Sequence, residues 1–473
     1  MADVITGWTD LNYPFGHDVG AAITEAMATI RQWQAEFGPF SPHASTKVGA
    51  DEWQRTWREF ALRLTGEQYP FFHPRYAGQM LKPPHPVAVV GYLAAMLINP
   101  NAHALDGGPA TAAMEKEVVE QLAGMFGLSN HLGHLTSSGT IANLEALWVA
   151  REERPGAAIA VSADAHYTHQ RMGQVLGVQV VSVNVDAKGR MDMDDLARVL
   201  AAHDVGTIVA TMGTTGLGAI DPLRDIVHLA RSSGVRVHAD AAYGGFFALV
   251  ADDSDDGVAS RDFSALRDVD SIVVDPHKHG LQPYGCGAVL FADPNVGRHY
   301  KHDSPYTYFS SDELHLGEIS LECSRAGAAA AALWLTTSVF PLTPNGLGEV
   351  LRPGLRAARR FHGLLEASSL MQPVQAPELD IVGYGSRAAS MSEIDSATAR
   401  IFATLANAQP EQQWHLATYS MTARDLARRG IAAEADAKRV RILRSVFMKP
   451  EHEGVVEDLV GVLEGQARPR LSP

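Results

Sequence analysis

Between residues 157 and 291, short apolar segments alternate with segments of helical periodicity, and this alternation constrains the fold more than any other feature. The apolar runs that predict strands lie at residues 158–161, 179–185, 207–212, 235–239, 271–274 and 288–291. Two segments between them, residues 194–202 and 223–232, repeat apolar residues at helical spacing. Buried strands separated by helices form a mostly parallel sheet with helices on both faces, so we expect an α/β fold.

The regions on either side of this segment predict two smaller units. Residues 1–85 are mostly of helical pattern and are expected to form an N-terminal packing arm. Residues 86–345 would form the large α/β domain, and residues 346–473 a small α+β domain. The helices and strands predicted in the small domain lie at residues 357–365, 391–406, 414–421 and 440–447.

Composition argues against several classes of protein. A chain of 473 residues that is 46% hydrophobic and 20% charged is typical of a globular protein with a large core. A net charge of −15 argues against general nucleic-acid binding, which requires a basic face. The two cysteines, Cys286 and Cys323, lack CxxC spacing and predict neither a disulfide framework nor a thiolate metal site. Because we find no signal-peptide pattern, and the longest apolar run covers only residues 87–98, we expect a cytoplasmic protein without a membrane span.

Polar residues follow the carboxyl ends of several predicted strands. They are His166, Thr214, Asp240, His277 and Lys278. Because the carboxyl ends of parallel strands share one edge of a sheet, where open α/β sheets bind ligands, we expect these side chains to converge on one crevice. A single lysine in such a position is usually a solvated residue, so the hypothesis rests on the whole set.

A turn of small residues precedes the helix pattern at residues 141–148, and it contains Ser138, Gly139 and Thr140. Free backbone N–H groups and the positive end of the helix dipole favour an anion such as phosphate at this position. The alternative is an ordinary helix cap made by a hydroxyl side chain.

A phosphate cradle, a strand-end aspartate and a strand-end lysine together meet the needs of pyridoxal phosphate (PLP). Lys278 would form a Schiff base with the aldehyde of the cofactor. Asp240 would keep the pyridine nitrogen protonated, so that the ring accepts electrons from a carbanion. The alternatives for this carboxylate are a helix cap or a salt bridge to an arginine, since an unpaired buried charge is costly. We therefore expect PLP as the cofactor, and no metal.

Five short motifs occur in order along the chain: TSSGTIAN at 136–143, HYTH at 166–169, ATMGTT at 210–215, DAAYG at 240–244 and DPHK at 275–278. Together they resemble the group II PLP-dependent amino-acid decarboxylases, which are of fold type I. The resemblance implies a central, mostly parallel seven-stranded sheet with helices on both faces, an N-terminal helical arm and a C-terminal α+β domain.

The resemblance also implies a role for individual residues. Lys278 is the lysine that binds the cofactor, and Asp240 is the partner of the ring nitrogen. His166 stacks on the ring and helps to hold the substrate carboxylate, unless it is an ordinary core histidine, and Ala242 packs on the opposite ring face. Contacts with the phosphate are implied for Ser138, Gly139, Thr140 and His277. Thr214, or alternatively Thr215, is implied to lie near the phenolic oxygen of the cofactor or near the substrate.

Two candidates for substrate binding lie outside these motifs. His73 either lines a pocket or caps a turn, and the sequence leaves both open. The glycine-rich residues 280–287 resemble the branch that contains tyrosine and aspartate decarboxylases and sphingosine-phosphate-type lyases. Arg325 resembles an arginine of that branch near the substrate carboxylate, a task that suits a guanidinium. An interdomain ion pair is the alternative for Arg325.

Tyr306 and Tyr308 lie where related decarboxylases carry a mobile loop whose tyrosine returns a proton to the substrate carbon. In those enzymes the loop often reaches the partner subunit, which implies a homodimer. Phe309 is adjacent, and related enzymes with phenylalanine in the key position form aldehydes by oxidative deamination. The register of the two tyrosines stays open.

The predicted function is PLP-dependent decarboxylation of an L-amino acid to an amine and carbon dioxide. One alternative keeps the cofactor and changes the outcome, as a C–C lyase or an aldehyde-forming decarboxylase does. Another is a PLP-binding protein without catalysis, against which the set of Lys278, Asp240 and His166 argues. The expected partner is a small amino acid, whose identity the sequence leaves open.

Overall fold

The computed structural model of the chain describes residues 19–103, 105–301 and 315–468. Its α-helices are α1 (Val19–Ala35), α2 (Ala50–Gly66), α3 (Pro86–Met96), α4 (Pro109–Phe126), α5 (Gly139–Glu153), α6 (Thr168–Leu176), α7 (Met193–Ala202), α8 (Leu223–Ser233), α9 (Ser260–Phe263), α10 (Gly327–Val339), α11 (Leu347–Ala367), α12 (Met391–Ala406), α13 (Ala423–Arg428) and α14 (Val456–Ala467). Its strands are β1 (Leu132–Thr136), β2 (Ala158–Ser162), β3 (Val180–Val183), β4 (Val205–Thr211), β5 (Arg236–Asp240), β6 (Ser271–Val274), β7 (Gly287–Phe291), β8 (Met371–Pro373), β9 (Ile381–Ser386), β10 (Ala417–Thr422) and β11 (Arg439–Val446).

The large sheet has the strand order β1-β7-β6-β5-β4-β2-β3. Strand β7 runs antiparallel to both of its neighbours, and the other neighbouring strands are parallel. All strands except β7 therefore end at the same edge of the sheet. This architecture confirms the predicted α/β fold with a mostly parallel seven-stranded sheet.

Both faces of the large sheet are covered, as continuous apolar strands require. All seven residues of β4 are buried. Ile208 packs in the cluster that contains Leu196 of α7 and Leu223 of α8. Val209, the next residue, packs in another cluster with Leu147 of α5. Because successive strand residues point to opposite faces, this alternation places helices on either side of the strand.

The smaller sheet is antiparallel, with the order β10-β11-β9-β8. Helix α11 links it to the large sheet, because Leu347 and Leu351 in its first half pack in the large core. Phe361 and Leu365 in its second half pack in the core of the small sheet. The proposed boundary between residues 345 and 346 stays a prediction.

Helices α1 and α2 lie within the predicted N-terminal arm, and neither has a buried residue. Residues 67–85, which complete the arm, contain no helix. Trp53 and Trp57 stack with ring centroids 5.7 Å apart, and they are 54% and 48% exposed. The arm therefore presents an apolar face to its surroundings. Among the described helices, none has the length and apolar character needed to cross a bilayer.

Candidate active site

Lys278 lies in the turn that follows β6, and its ammonium pairs with a buried carboxylate. Its Nζ is 3.0 Å from Oδ2 of Asp275. Burial alone would lower the pKa of Lys278, but the charge and hydrogen bond of Asp275, with a further contribution from Asp240, raise that pKa above its ordinary value. The lysine is therefore held as a cation, with its counterion three residues earlier in the same turn.

Asp240 is the last residue of β5, beside Thr211 of β4 and Val273 of β6. Its Oδ2 accepts a hydrogen bond from Nε2 of His169 at 2.8 Å, and its Oδ1 accepts one from the Ala242 amide at 3.2 Å. Burial would raise the pKa of Asp240, but the hydrogen bond and charge of His169 hold that pKa well below its usual range. The carboxylate stays ionised, as the partner of a protonated ring nitrogen must.

The turn before α5 is closely packed and leaves amides free. Ser138 caps the helix, because its Oγ accepts a hydrogen bond from the Ile141 amide at 3.3 Å. The first N–H groups of a helix have no acceptor within it, so those of Gly139 and Thr140 remain available to an anion. A Cβ on Gly139 would lie 2.5 Å from Oδ2 of Asp275, and a Cβ on Gly287 would lie 2.9 Å from the Gly139 nitrogen. The glycines therefore permit this close approach, and both the cap and the phosphate hypothesis fit the turn.

His277 has a fixed orientation beside this turn. Its Nδ1 donates a hydrogen bond to the Cys286 carbonyl at 2.7 Å, and its Nε2 lies 3.5 Å from Oδ2 of Asp275. The ring lies against that of Tyr284 in a tilted arrangement, with centroids 4.7 Å apart. Burial lowers the pKa of His277, so the imidazole is neutral near pH 7.

His166 and His169 are both held at the start of α6. Nδ1 of His166 accepts a hydrogen bond from the Thr168 amide at 3.2 Å, and His166 remains half-buried. Burial lowers its pKa, and the charges of Asp240 and Lys278 act on it with opposite signs. Thr140 in the first turn of α5 lies beside the same residues, with its Oγ1 3.5 Å from Oγ1 of Thr168. The structure thus brings His166 and the start of α5 together.

Ala242 and Thr214 lie in the turns after β5 and β4. The Ala242 carbonyl accepts a hydrogen bond from the Asp275 amide at 3.2 Å, which ties the ends of β5 and β6 together. The Thr214 hydroxyl accepts one from the Ala219 amide at 3.0 Å and closes its own turn. The neighbouring Thr215 uses its carbonyl as an acceptor for Arg444 at 2.7 Å. A contact of either threonine with the cofactor stays a prediction.

His73 caps a turn, which was one of the two alternatives for it. Its Nδ1 accepts a hydrogen bond from the Arg75 amide at 3.1 Å. Burial lowers the pKa of His73, and the charges of Arg75 and Lys449 lower it further. Its hydrogen bond lies within residues 73–75 and includes none of the crevice residues. A role for His73 in substrate binding stays a prediction.

The guanidinium of Arg325 is bound by other groups of the protein. Its Nη1 lies 2.8 Å from Oε1 of Glu115 and 2.6 Å from the Leu135 carbonyl. Its Nη2 donates to the Ala102 carbonyl at 3.4 Å. Arg325 therefore forms an ion pair with Glu115, as the alternative to substrate binding expected. Both residues lie within the predicted large domain, so the pair does not join two domains. A contact with the substrate carboxylate stays a prediction.

Replacing Arg325 with methionine tests this structural role. Glu115 is only 1% exposed, so we expect the unpaired carboxylate to lower the free energy of unfolding by about 3–5 kcal/mol. The measurement is the urea denaturation curve of the variant and of the unchanged protein. The matched control adds Glu115→Gln, which removes the unpaired charge and should recover part of the loss. Unchanged stability together with a raised KM would instead favour the substrate role.

Sequence reasoning left two residues of this site without a role. Asp275 pairs with Lys278, and it stands in the same motif three residues earlier. His169 pairs with Asp240, and it stands one helical turn after His166. Spacing of three residues in a turn or helix places side chains near one another. The spacing alone could therefore have predicted that Asp275 lies near Lys278 and His169 near His166.

A chain of hydrogen bonds also connects the first turn of α5 with β5 and β6. Nδ2 of Asn143 donates to the Gly139 carbonyl at 2.8 Å, and Oδ1 of Asn143 accepts from Nε2 of His238 at 2.9 Å. Nδ1 of His238 then lies 2.8 Å from the Ser271 hydroxyl, which donates to it. Burial lowers the pKa of His238 to about 3, so this histidine is neutral. We call Gly139, Asn143, His238 and Ser271 the polar chain.

Tyr306 and Tyr308, the predicted proton donors, lie outside the described residues. The residues that are described fit PLP in three respects. The start of α5 offers amides to a phosphate. The ionised Asp240 suits a pyridinium nitrogen, and the Lys278 amine suits an aldehyde.

Comparisons with known proteins agree with this chemistry. Residues 69–384 match the model of the pyridoxal-dependent decarboxylase conserved domain. An L-tyrosine decarboxylase of Enterococcus faecium is 28% identical, with 69% of this chain and 71% of that protein covered. An L-aspartate decarboxylase of Thermococcus kodakarensis is 30% identical, with 68% and 82% covered.

A similar fold occurs in the crystal structure of Oryza sativa TDC with PLP and tryptamine. It has a TM-score of 0.76 and 18% sequence identity, with 94% of this chain and 97% of that chain covered. The family model itself spans more than half of the chain. The chain therefore belongs to the family of pyridoxal-dependent decarboxylases, and it is a PLP-dependent amino-acid decarboxylase.

Proposed function

We propose that the crevice at the carboxyl ends of β4, β5 and β6 is the active site, where the enzyme converts an L-amino acid to an amine and carbon dioxide. One observation carries the proposal: the ammonium of Lys278 and the ionised carboxylate of Asp240 follow neighbouring parallel strands, close enough for each charge to affect the other. The start of α5 supplies the anion site beside them.

Each residue of the crevice has a task in this proposal. PLP, when bound, supplies the electron sink for the charge left on the substrate carbon as carbon dioxide departs. Lys278 would hold the cofactor through its amine. Asp240 holds the proton of the ring nitrogen. His166 covers one ring face and orients the substrate carboxylate.

The remaining residues hold and enclose the cofactor in the same proposal. The amides of Gly139 and Thr140, with the Ser138 hydroxyl as a donor, bind the phosphate. His277 contributes to that end of the site, since it lies beside Asp275. Ala242 packs on the second ring face, where its short side chain leaves room for a ring, and Thr214 borders the crevice after β4.

The test is mass spectrometry of the PLP-saturated protein after incubation with individual amino acids. The panel begins with L-tyrosine and L-aspartate, because the relatives described above carry those names. An amine from one substrate, formed much more slowly by the Asp240→Asn variant, would support the proposal. An aldehyde with ammonia, no product from any amino acid, or an amine formed at an unchanged rate by that variant would overturn it.

Replacing Tyr306 or Tyr308 with phenylalanine should change the product. The tyrosine that returns the proton to the substrate carbon is expected to be one of these two, as the resemblance implies. Its variant should lose amine formation by roughly 10²-fold, the usual contribution of a positioned proton donor. With dissolved oxygen as the two-electron oxidant, it should instead release aldehyde, ammonia and hydrogen peroxide. The measurement is the amine-to-aldehyde ratio, and each variant serves as the control for the other. Equal amine yields from both variants and the unchanged enzyme would contradict the assignment.

We also propose a homodimer in the cytoplasm. The exposed side chains of Trp53, Trp57 and Phe60 on α2 support a dimer, because monomeric proteins rarely leave such aromatic faces uncovered. Light scattering should give twice the chain mass, and the double variant Trp53→Glu, Trp57→Glu should reduce it to one chain mass. A monomer before any substitution would contradict the dimer.

The unpaired thiols of Cys286 and Cys323 support a reducing compartment, as the cytoplasm is.

A further inference from the structure

His169 forms one of the most buried polar contacts in the crevice. It lies in the first turn of α6 with no exposed surface, and Asp240 is only 5% exposed. The contact joins Nε2 of His169 to Oδ2 of Asp240 at 2.8 Å. An ionised carboxylate has about four acceptor positions, of which His169 and the Ala242 amide use two. Acceptor positions therefore remain for the N–H group of a ligand.

The direction of the hydrogen bond between His169 and Asp240 follows from the chemistry of the two groups. An ionised carboxylate only accepts hydrogen bonds, so Nε2 carries the proton in this contact. Nδ1 of His169 is buried and has no hydrogen-bond partner among the described residues. The ring of His238 has its centroid 6.5 Å from that of His169 and forms hydrogen bonds with Asn143 and Ser271. His169 is therefore the hydrogen-bond donor in this contact, and Asp240 is the acceptor.

We infer that His169 is a positioning residue for Asp240, which it holds in one orientation and in its ionised form for the ring nitrogen of the cofactor. This inference rests on the role of Asp240 proposed above. A buried carboxylate needs hydrogen-bond donors, and the backbone contact from Ala242 is the longer of the two. Without the imidazole, the carboxylate would be held by the Ala242 amide alone among the donors of the described residues.

The experiment compares two replacements of His169 in the cofactor-free protein titrated with PLP. His169→Phe keeps a ring but removes the donor, and His169→Gln keeps a donor. We expect His169→Phe to weaken PLP affinity roughly tenfold, as the loss of a hydrogen bond to a charged group does, and to change the visible absorbance of the bound cofactor. His169→Gln should restore most of both properties and also guards against a folding defect. His228→Phe, at an exposed histidine of α8, is the matched control.

A double-mutant cycle separates positioning from general structure. If His169 acts through Asp240, adding His169→Phe to Asp240→Asn should weaken PLP binding no further. Additive losses, or an unchanged affinity and spectrum in His169→Phe, would overturn the inference. If instead Asp240→Asn alone left PLP affinity and absorbance unchanged, the role proposed for Asp240 would fail, and the inference with it.

Discussion

Lys278→Ala is expected to abolish the covalent attachment of PLP and to lower kcat/KM by at least about 10³-fold, equivalent to about 4 kcal/mol of transition-state stabilisation. Lys278 is the lysine in the turn after β6, and its ammonium lies 3.0 Å from Asp275 beside the proposed phosphate turn. An alanine at this position offers no amine to the aldehyde. The measurement is borohydride reduction of the PLP-treated protein, followed by peptide mapping of the adduct.

The matched control is Lys188→Ala, which removes an exposed lysine between β3 and α7. This variant should retain both the adduct and the activity. A reducible adduct that survives in Lys278→Ala would show that another amine binds the cofactor, and the assignment of Lys278 would be wrong. Without Lys278, the buried carboxylate of Asp275 would lose its cation, and its Oδ1 already lacks a hydrogen-bond partner among the described residues. A modest loss of stability is therefore expected beside the chemical effect.

Asp240→Asn is expected to lower kcat/KM by roughly 10²- to 10³-fold, equivalent to about 3–4 kcal/mol. The amide keeps the shape of the carboxylate but loses the charge that favours a protonated ring nitrogen. Replacement of one oxygen by an NH₂ group also disturbs the contact with Nε2 of His169, which is itself a donor. The measurements are steady-state kinetics and the visible absorbance of the bound cofactor.

Asp268→Asn supplies the control, since Asp268 forms a surface ion pair with Arg231 and such pairs contribute little to stability. Its kinetics and spectrum should match those of the unchanged enzyme. If Asp240→Asn retained full kcat/KM, the ring nitrogen would not depend on this carboxylate. Electron withdrawal by the cofactor would then have to be supported by another group of the crevice.

Much of the large domain could be predicted from the sequence because its strands are continuous apolar runs. The strand predicted at residues 271–274 has the same bounds in the structure, and the other predicted strands of the large sheet agree within two residues at either end. Because β5 and β6 are parallel, Asp240 and Lys278 lie at the same edge of the large sheet, as expected from the strand ends alone. The family and the PLP dependence followed from motifs in that region and are confirmed.

The contacts between distant parts of the chain could not be predicted in the same way. His169 and Asp240 are 71 residues apart, and Arg325 and Glu115 are 210 apart. No periodic pattern links such positions, because their approach depends on how whole helices pack. Arg325 shows the consequence: its residue type suits a carboxylate, but the sequence could not indicate that Glu115 would supply one. The sequence prediction of a helix at residues 357–365 covers only part of α11, which begins at Leu347 and ends at Ala367. The first turns of α11 pack on the large core and its later turns on the small one.

The polar chain from Gly139 through Asn143 and His238 to Ser271 has a consequence for which molecules the crevice accepts. It ties the first turn of α5 to the strand that carries Asp240, so we expect the distance between these two parts of the crevice to vary little. If they bind the phosphate and the ring nitrogen as proposed, the crevice selects its cofactor by length. An analogue with one extra methylene between ring and phosphate would carry every functional group of PLP, yet it would lose either the amides of α5 or the carboxylate of Asp240.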